Sequence, residues 1–258
     1  METIEVGRAE GVVTITLNRP ERKNAIIDTT WHELIATFRE VALNKDDRVV
    51  VLTGAGGDFC SGADLSPGAG GASESTGLDG MRLAGEACLA LHRLPKPTIA
   101  KVPGVAVGIG CNLALGCDLV VAAERARFSE IFVRRGLAID GGGSWLLPRL
   151  IGLHKAKELA FFGDVISASD AERIGIVNRV VADDELDKFV GEWADRLANL
   201  PPIQLSAIKS QLNNSMMVTM DKALDDEAWA QSVNLKTDDF KEAVRAFLQK
   251  DTPKFMGR

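Results

Sequence analysis

The 258-residue sequence lacks an excess of positive charge, because 30 lysines and arginines face 36 aspartates and glutamates. Proteins that bind nucleic acids usually display a basic patch, so a net charge of −6 argues against that class of partner. The same balance argues more weakly against an anionic membrane surface. No apolar run reaches the ~20 residues of a membrane-spanning helix, and the N-terminus lacks the pattern of a signal peptide.

Motifs for metals and nucleotides are missing too. The four cysteines, Cys60, Cys88, Cys111 and Cys117, form no Cys-x-x-Cys pair, and the three histidines are scattered. We therefore expect no metal site, and buried free thiols in a reducing, cytoplasmic location. The sequence has no GxxxxGK[ST] phosphate-binding loop, and "GVAVGIG" lacks the downstream acidic residue of a dinucleotide-binding fold.

What the sequence does contain is an alternation of strand and helix patterns. "VVTITL" (12–17) alternates apolar residues with threonines and predicts a strand. Apolar residues then recur at helical spacing behind Asp28, a predicted N-cap. "VVVLTG" (49–54) is typical of a strand buried on both faces.

Helical patterns dominate after Gly143, and the last is predicted to run from about Met220 to Lys250. We predict an α/β core over residues 1–195 and a helical region over residues 196–258. Within the predicted core, the segment from Ser66 to Gly80 is rich in glycine and serine and lacks periodicity, which predicts a mobile loop.

Two glycine-rich elements each follow a predicted strand: "GDFCSGADL" (57–65) and "VPGVAVGIGCNLAL" (102–115). Glycine lets a ligand approach the backbone, and a helix N-terminus adds partial positive charge. If the two elements converge, two N–H groups could hold one oxygen, as in an oxyanion hole. Spacing alone leaves a functional and a purely structural role equally open.

Five blocks, in order, resemble the crotonase, or enoyl-CoA hydratase/isomerase, superfamily. They are "LNRPERKNAI", "GGDFCSGADL", "KPTIAKVPGVAVGIGCNLALGCDLVVA", "ARFSEIFVRRGLAIDGGGSWLLPRLIG" and "GDVISASDAERIGIVNRVV". The resemblance covers nearly the whole chain. It implies an α/β fold of repeated ββα units in a superhelix, with a C-terminal helical region that forms a homotrimer or homohexamer. It also implies an acyl-CoA thioester substrate and no cofactor beyond the coenzyme A of that substrate.

By position, the resemblance implies that backbone amides of Ala63 and Ile109 hold the thioester oxygen. The family most often has glycine at the second place, so Ile109 predicts a tighter acyl pocket. Arg22 and Lys23 are expected to meet the coenzyme A phosphates, with Ala25 beside them, although solvated turn charges would look the same. The other residues expected at the substrate are Ser61, Gly62, Asp64, Leu65, Gly110, Asn112 and Phe132.

The sequence departs from the family's hydratases, which carry two glutamates that flank a bound water. Asn112 and Phe132 occupy those two positions here. Glu130 lies two residues before the second position, so we expect it to point elsewhere. "GLAIDGGGSWLLPR" instead resembles the branch that includes 2-(1,2-epoxyphenylacetyl)-CoA isomerase, whose sole catalytic carboxylate falls on Asp140.

An isomerase that carries a proton on Asp140 is therefore the favoured interpretation. A hydratase that places water with Asp140 or Glu130 stays open, as does a degenerate acyl-CoA-binding homologue. Nucleophilic attack by Asp140, as in the family's dehalogenases, is disfavoured because neither glycine-rich loop holds a histidine. Asp140 would also be unremarkable as a cap of the helix beginning near Ser144 or as a turn residue. The acyl length and the pathway stay open.

Overall fold

The structure is a computed structural model that describes residues 1–66 and 78–258. Over these residues strands and helices alternate as far as β9, and helices alone follow. The strands are β1 (Ile4–Ala9), β2 (Val12–Leu17), β3 (Val49–Gly54), β4 (Thr98–Val102), β5 (Val105–Val107), β6 (Leu119–Ala123), β7 (Arg127–Ser129), β8 (Ile166–Ser167) and β9 (Arg179–Val181). The helices are α1 (Asp28–Leu43), α2 (Leu78–His92), α3 (Ile109–Gly116), α4 (Gly143–Phe162), α5 (Ala168–Ile174), α6 (Leu186–Ala198), α7 (Pro202–Asn214), α8 (Met220–Asn234) and α9 (Asp238–Gln249).

The larger sheet has the strand order β1-β2-β3-β4-β6-β9, and its strands are parallel except for the antiparallel β1–β2 pair. Successive β3 side chains point to opposite faces, and both faces are covered. Val50 and Leu52 belong to the core that includes α1, whereas Val49 and Val51 pack in the cluster that includes α6. The prediction of a strand buried on both faces is confirmed.

A smaller sheet, β5-β7-β8, brings the two glycine-rich elements together. The Cys60 N–H donates to the Val105 carbonyl oxygen at 2.8 Å, and the Val107 N–H donates to the Cys60 carbonyl oxygen at 2.9 Å. A β-carbon at Gly104 would lie 2.3 Å from the Gly57 carbonyl oxygen, so this approach requires glycine. The first glycine-rich element is therefore paired directly with the strand that opens the second.

The C-terminal part differs in detail from the sequence expectation. The single helix expected from Met220 to Lys250 is two helices, because Thr237 caps a new helix by accepting from the Phe240 N–H.

Two other boundaries also differ from the expectation. Asp28 is the first residue of α1, and Ile27 occupies the N-cap position. The boundary predicted at residue 195 lies inside α6.

The loop expected from Ser66 to Gly80 lies mainly outside the described residues, which omit positions 67–77. Residues 78–80 already belong to α2. Within the described residues, we find no helix with the length and apolarity needed to cross a membrane.

Candidate active site

Two backbone amides lie in the turns of the two glycine-rich elements. Gly62, with φ of 108°, precedes Ala63, and Gly108, with φ of 56°, precedes Ile109 at the start of α3. Such φ values favour glycine, so both turns depend on it. The Ala63 and Ile109 N–H groups take part in none of the hydrogen bonds of the described residues. For Ile109 this follows from its place in the first turn of a helix.

The two turns approach each other at van der Waals distance. A β-carbon at Gly62 would lie 3.1 Å from the Val107 carbonyl oxygen, and one at Gly110 would lie 2.4 Å from the Cys60 carbonyl oxygen. The unpaired amides of Ala63 and Ile109 thus belong to two loops in direct contact. This arrangement can hold a substrate oxygen that gains negative charge.

Asp140 lies where the chain turns from a short 3-10 helix (Ile131–Arg135) into α4. Its carbonyl oxygen accepts hydrogen bonds from the Asn112 Nδ2 at 2.8 Å and from the Gly143 N–H at 3.0 Å. Its Oδ1 is buried and has no partner in the described part of the chain. Burial raises the pKa of Asp140 to about 6.

The role of Asp140 as a helix cap does not fit this geometry. The residue at the N-cap of α4 is Gly142, with φ of 85°, and no side chain caps the helix. Among the residues that the structure describes, the Asp140 carboxylate caps no helix, and its backbone carbonyl serves the turn.

Glu130 does not point away from the site, and the expectation that it would is wrong. The residue is 2% exposed, and its Oε2 lies 3.4 Å from the Asn112 Nδ2. Burial raises its pKa to about 7, hydrogen bonds from Cys111 and Asn112 oppose the rise, and the charge of Asp140 adds to it. The bend after β7 turns Glu130 inward, which two-residue spacing from Phe132 could not show.

Phe132 and Ile109 supply apolar surface near these polar groups, at 7% and 4% exposure. The Ile109 side chain fills the space beside Gly141, where a β-carbon would lie 2.8 Å from Ile109 Cγ1. Its side chain therefore packs directly against the Asp140 turn. The Gly108 turn lies against the Phe132 ring, since a β-carbon there would meet Phe132 Cζ at 3.8 Å.

A cavity of about 760 Å³ opens beside Asn112, Gly141 and Gly142. That volume lies within the usual range for small-molecule sites. Sequence reasoning missed its other walls, which come from α2, α3, α4, α7 and the 3-10 helix Ser215–Met217 after α7. They include Cys88, Leu89, His92, Leu113, Trp145, Leu146, Lys209, Ser210, Asn213 and Met217. The only sequence signal was proximity of Trp145 to the glycines, because α2 and α7 are distant along the chain.

Arg22 and Lys23 lie on the surface next to the first glycine-rich element. Ser61 links the two segments, since its N–H donates to the Lys23 carbonyl oxygen at 3.0 Å and its Oγ donates to the Arg22 carbonyl oxygen at 3.2 Å. Lys23 Nζ lies 3.8 Å from an Asp58 oxygen, and Ala25 is buried beside them. The structure thus groups Arg22, Lys23 and Ser61, and their contact with coenzyme A stays a prediction.

Asp64 is already engaged within the protein. It forms an ion pair with Arg19 at 2.9 Å and accepts from the Ser66 N–H at 3.0 Å. Burial works against the charged form, but the bonds from Ser66 and the charge of Arg19 outweigh it and lower the pKa of Asp64. Asp64 therefore fixes the loop that carries Ala63, while Leu65 beside it is 51% exposed.

The fold and these two converging turns define a crotonase-type acyl-CoA enzyme. The family model for enoyl-CoA hydratase/isomerase matches residues 7–258, and the chain belongs to that family. Among solved structures, it superimposes on an enoyl-CoA hydratase from Bacillus anthracis with a TM-score of 0.93 at 33% identity, covering 100% of both chains. A putative enoyl-CoA hydratase from Streptomyces coelicolor A3(2) gives 0.94 at 34% identity, covering 100% of this chain and 95% of that one.

Among relatives compared by sequence, the chain is 39% identical to 1,2-epoxyphenylacetyl-CoA isomerase of Escherichia coli (strain K12), over 100% of both chains. It is 34% identical, again over 100% of both, to 2,3-dehydroadipyl-CoA hydratase of the same organism. The resemblance to the superfamily is confirmed, and with it the crotonase-like α/β fold class. Isomerases and hydratases both occur among these relatives.

Proposed function

We propose that the protein is an enoyl-CoA isomerase in which Asp140 carries the proton. The observation that carries this proposal is the Asp140 carboxylate, whose Oδ1 is buried and has no partner among the described residues, at a site where Asn112 and Phe132 stand in place of the hydratase glutamates. The identity to 1,2-epoxyphenylacetyl-CoA isomerase supports it.

The reaction moves a double bond from C3 to C2 of an acyl-CoA thioester. The Asp140 carboxylate takes a proton from C2, and the electron pair of that C–H bond shifts into the chain and onto the thioester oxygen. The Ala63 and Ile109 amides hold the resulting dienolate oxygen. Asp140 then returns the proton at C4, which restores the carboxylate. The exchange is redox-neutral and consumes no water, so the proposal needs no cofactor beyond the coenzyme A of the substrate.

The surroundings of Asp140 support proton transfer. A carboxyl group shuttles protons best when its pKa lies near the working pH, and burial brings that of Asp140 to about 6. We assign the acyl chain to the cavity beside Gly141 and the coenzyme A phosphates to Arg22 and Lys23. Arg22 takes part in no ion pair among the described residues, and Lys23 has only the long contact with Asp58.

A hydratase is the second candidate, and one observation favours it. Hydration needs two proton-handling groups around a water, and both Glu130 and Asp140 have a buried oxygen without a partner. The water would then lie between these carboxyls. A catalytically degenerate acyl-CoA-binding homologue would bind without turning over either substrate.

A direct assay separates these functions. The purified protein receives either 3-enoyl-CoA or 2-enoyl-CoA, and absorbance together with mass spectrometry identifies the products. Isomerisation forms 2-enoyl-CoA of unchanged mass, whereas hydration adds the mass of one water. The proposal fails if 2-enoyl-CoA is only hydrated, or if neither substrate reacts although coenzyme A thioesters bind.

We also propose that the protein assembles as a homotrimer or a dimer of trimers. Five apolar side chains of the C-terminal helical region are exposed by 39–83% in the single chain. They lie on α8 and α9: Trp229, Val233, Phe240, Val244 and Phe247. Exposure of several large apolar groups on neighbouring helices marks an interaction surface.

A further inference from the structure

Three oxygen atoms around Asn112 share an unusual condition. Asn112 Oδ1, Glu130 Oε1 and Asp140 Oδ1 are all buried, and none has a hydrogen-bond partner in the described part of the chain. A buried acceptor without a donor lowers the stability of the fold, so three of them together require an explanation. A proton held among these oxygens would supply the missing donor.

Glu130 is the least solvated carboxyl of the cluster, at 2% exposure. Neither Glu130 nor Asp140 takes part in an ion pair over the residues that the structure describes. The donors to Glu130 are weak: the Cys111 thiol, and the Asn112 amide at 3.4 Å. A charged Glu130 would therefore be poorly compensated beside a second carboxylate.

The Asn112 side chain contacts both acidic residues, Glu130 and Asp140. Its Nδ2 faces Glu130 Oε2 and also donates to the Asp140 carbonyl oxygen at 2.8 Å. Its carboxamide lies against the backbone of Gly143, where a β-carbon would come within 2.5–2.7 Å of three of its atoms. A change at Glu130 is thus transmitted through one side chain to the peptide that aims the Asp140 carboxylate.

We propose that Glu130 is a positioning residue for Asp140, which holds the Asn112 carboxamide in place and keeps a proton while Asp140 acts as the carboxylate. This inference rests on the proposed function, because it treats Asp140 as the base. Asp140 and Cys111 are the titratable groups that face Glu130, while Arg134 and Asp164, which flank the same turn, pair with each other at the surface. The carboxyl pair therefore carries one negative charge between its two ionisations.

The order of the two ionisations follows from their surroundings. The pKa of Asp140 is raised to about 6 and that of Glu130 to about 7, and the charge of Asp140 contributes to the second. Because Glu130 is the more deeply buried of the two carboxyls, the structure favours a neutral Glu130 beside a charged Asp140. Two carboxyls driven apart in this way divide the roles of proton holder and base.

Infrared difference spectroscopy tests the proton directly, without turnover. In the intact protein, we expect a protonated-carboxyl band near pH 6.5 that Glu130→Gln removes and Asp140→Asn retains. The band should titrate at lower pH in Asp140→Asn, since the neighbouring charge is gone. A wild-type spectrum without this band, or a band that survives in Glu130→Gln, would overturn the proposal.

Kinetics test the positioning role. Glu130→Ala should lower kcat on the order of 10- to 100-fold with little change in KM, because a small displacement of the base slows chemistry more than binding. Glu130→Gln should restore much of that kcat, since glutamine still meets the Asn112 amide. In an Asn112→Ala background, adding Glu130→Ala should cost little more, because Glu130 reaches Asp140 only through the Asn112 side chain. Equal kcat in Glu130→Ala and wild type would contradict the inference, as would fully additive losses.

The two levels of failure can be told apart. If Asp140→Asn retains full isomerase turnover, the proposed function is wrong, yet the infrared band still reports whether Glu130 holds a proton. If Asp140→Asn is inactive but Glu130→Ala keeps the wild-type kcat, the function stands and the positioning role falls.

Discussion

The Asn112 carboxamide donates a 2.8 Å hydrogen bond to the carbonyl oxygen of Asp140, across 28 residues of sequence. The position that carries a glutamate in the family's hydratases here supports the backbone of a different acidic residue. The same carbonyl accepts from the Gly143 N–H, so two donors fix the peptide while the carboxylate stays unbonded at Oδ1. The asparagine at position 112 thus does two things at once: it replaces a hydratase carboxylate and it supports the backbone of Asp140.

Asp140→Asn should lower isomerase turnover at least about 10³-fold while leaving the fold and acyl-CoA affinity intact. Asparagine keeps the backbone bonds from Asn112 and Gly143 but cannot take a proton. Turnover and binding are measured separately, by product formation and by calorimetry with a non-reacting acyl-CoA. A near wild-type rate would show that the carboxylate is not the base.

The rate of the wild-type enzyme should rise with pH through about 6. Asp140 must be ionised to accept the C2 proton, and its pKa is raised to about 6 by burial. A kcat–pH profile from pH 4.5 to 8 checks this, with Glu130→Gln as the comparison. The two profiles should coincide below pH 6 and diverge where Glu130 ionises. A wild-type profile already flat at pH 5 would mean that Asp140 is an ordinary exposed carboxylate.

The same two carboxyls should make the folded state less stable as the pH rises. Their folded pKa values, about 6 for Asp140 and about 7 for Glu130, lie above the unfolded values near 4. Their contribution is therefore fully present below pH about 4 and is lost as pH rises to about 7. Melting temperatures of wild type and an Asp140→Asn/Glu130→Gln double variant should differ little at pH 4 and increasingly favour the variant up to pH 8. A pH-independent difference would contradict this linkage.

Ala63→Pro should abolish activity, whereas Ala63→Gly should be mild. Proline removes the unpaired N–H assigned to the thioester oxygen, and glycine keeps it. The expected loss is on the order of 10²-fold or more in turnover. Circular dichroism and melting temperature establish that the proline variant is folded. A folded proline variant with near-normal turnover would remove Ala63 from the oxyanion site.

Gly143→Ala should disturb catalysis through Asn112. The added β-carbon would lie 2.5 Å from Asn112 Nδ2, so the carboxamide must move away from Asp140. We expect kcat to fall on the order of 10- to 100-fold. Gly191→Ala is the matched control, because that helical glycine of α6 has nothing within 4 Å of its added β-carbon. It should leave turnover unchanged and stabilise the fold by up to about 1 kcal/mol.

Phe247→Glu should break the proposed assembly. This side chain of α9 is 83% exposed in the single chain, and a buried charge at a subunit interface is strongly unfavourable. Sedimentation equilibrium should show trimers or hexamers for the wild type and smaller species for the variant. Leu43→Glu, at the end of α1 and 76% exposed, is the control outside the helical region. A 27.7 kDa wild-type species at micromolar concentration would exclude the assembly.

Most of the secondary structure could be predicted from local sequence patterns. The apolar run of β3 and the alternation of β2 were sufficient to predict both strands, because burial on one or both faces determines which positions are apolar. The break between α8 and α9 was missed, since apolar periodicity continues through it and only the cap at Thr237 marks the restart. Helix ends set by single caps leave a much weaker signal than buried faces.

The site was predictable only in part. The resemblance pointed to Ala63, Ile109 and Asp140, and the structure brings the first two into adjoining loops. The inward turn of Glu130 was not predictable, because it depends on how the chain leaves β7. The cavity wall from α7 was equally hidden, since Lys209 and Asn112 meet only through tertiary packing.

The ladder between Cys60 and β5 has a consequence for the order in which the molecule opens. The loop of Ala63 is held by strand hydrogen bonds through Val105 and Val107, in contact with a core that includes fully buried Phe59 and Ala106. Amide deuterium uptake at Cys60 and Val107 should therefore be among the slowest in the chain and should follow global unfolding. In the described part of the chain, the turn that carries Asp140 is held by the Asn112 and Gly143 donors instead of a strand ladder, so its amides should exchange sooner. The loop proposed to hold the thioester oxygen should therefore open only with the whole fold, whereas the turn of the proposed proton carrier should open in smaller fluctuations.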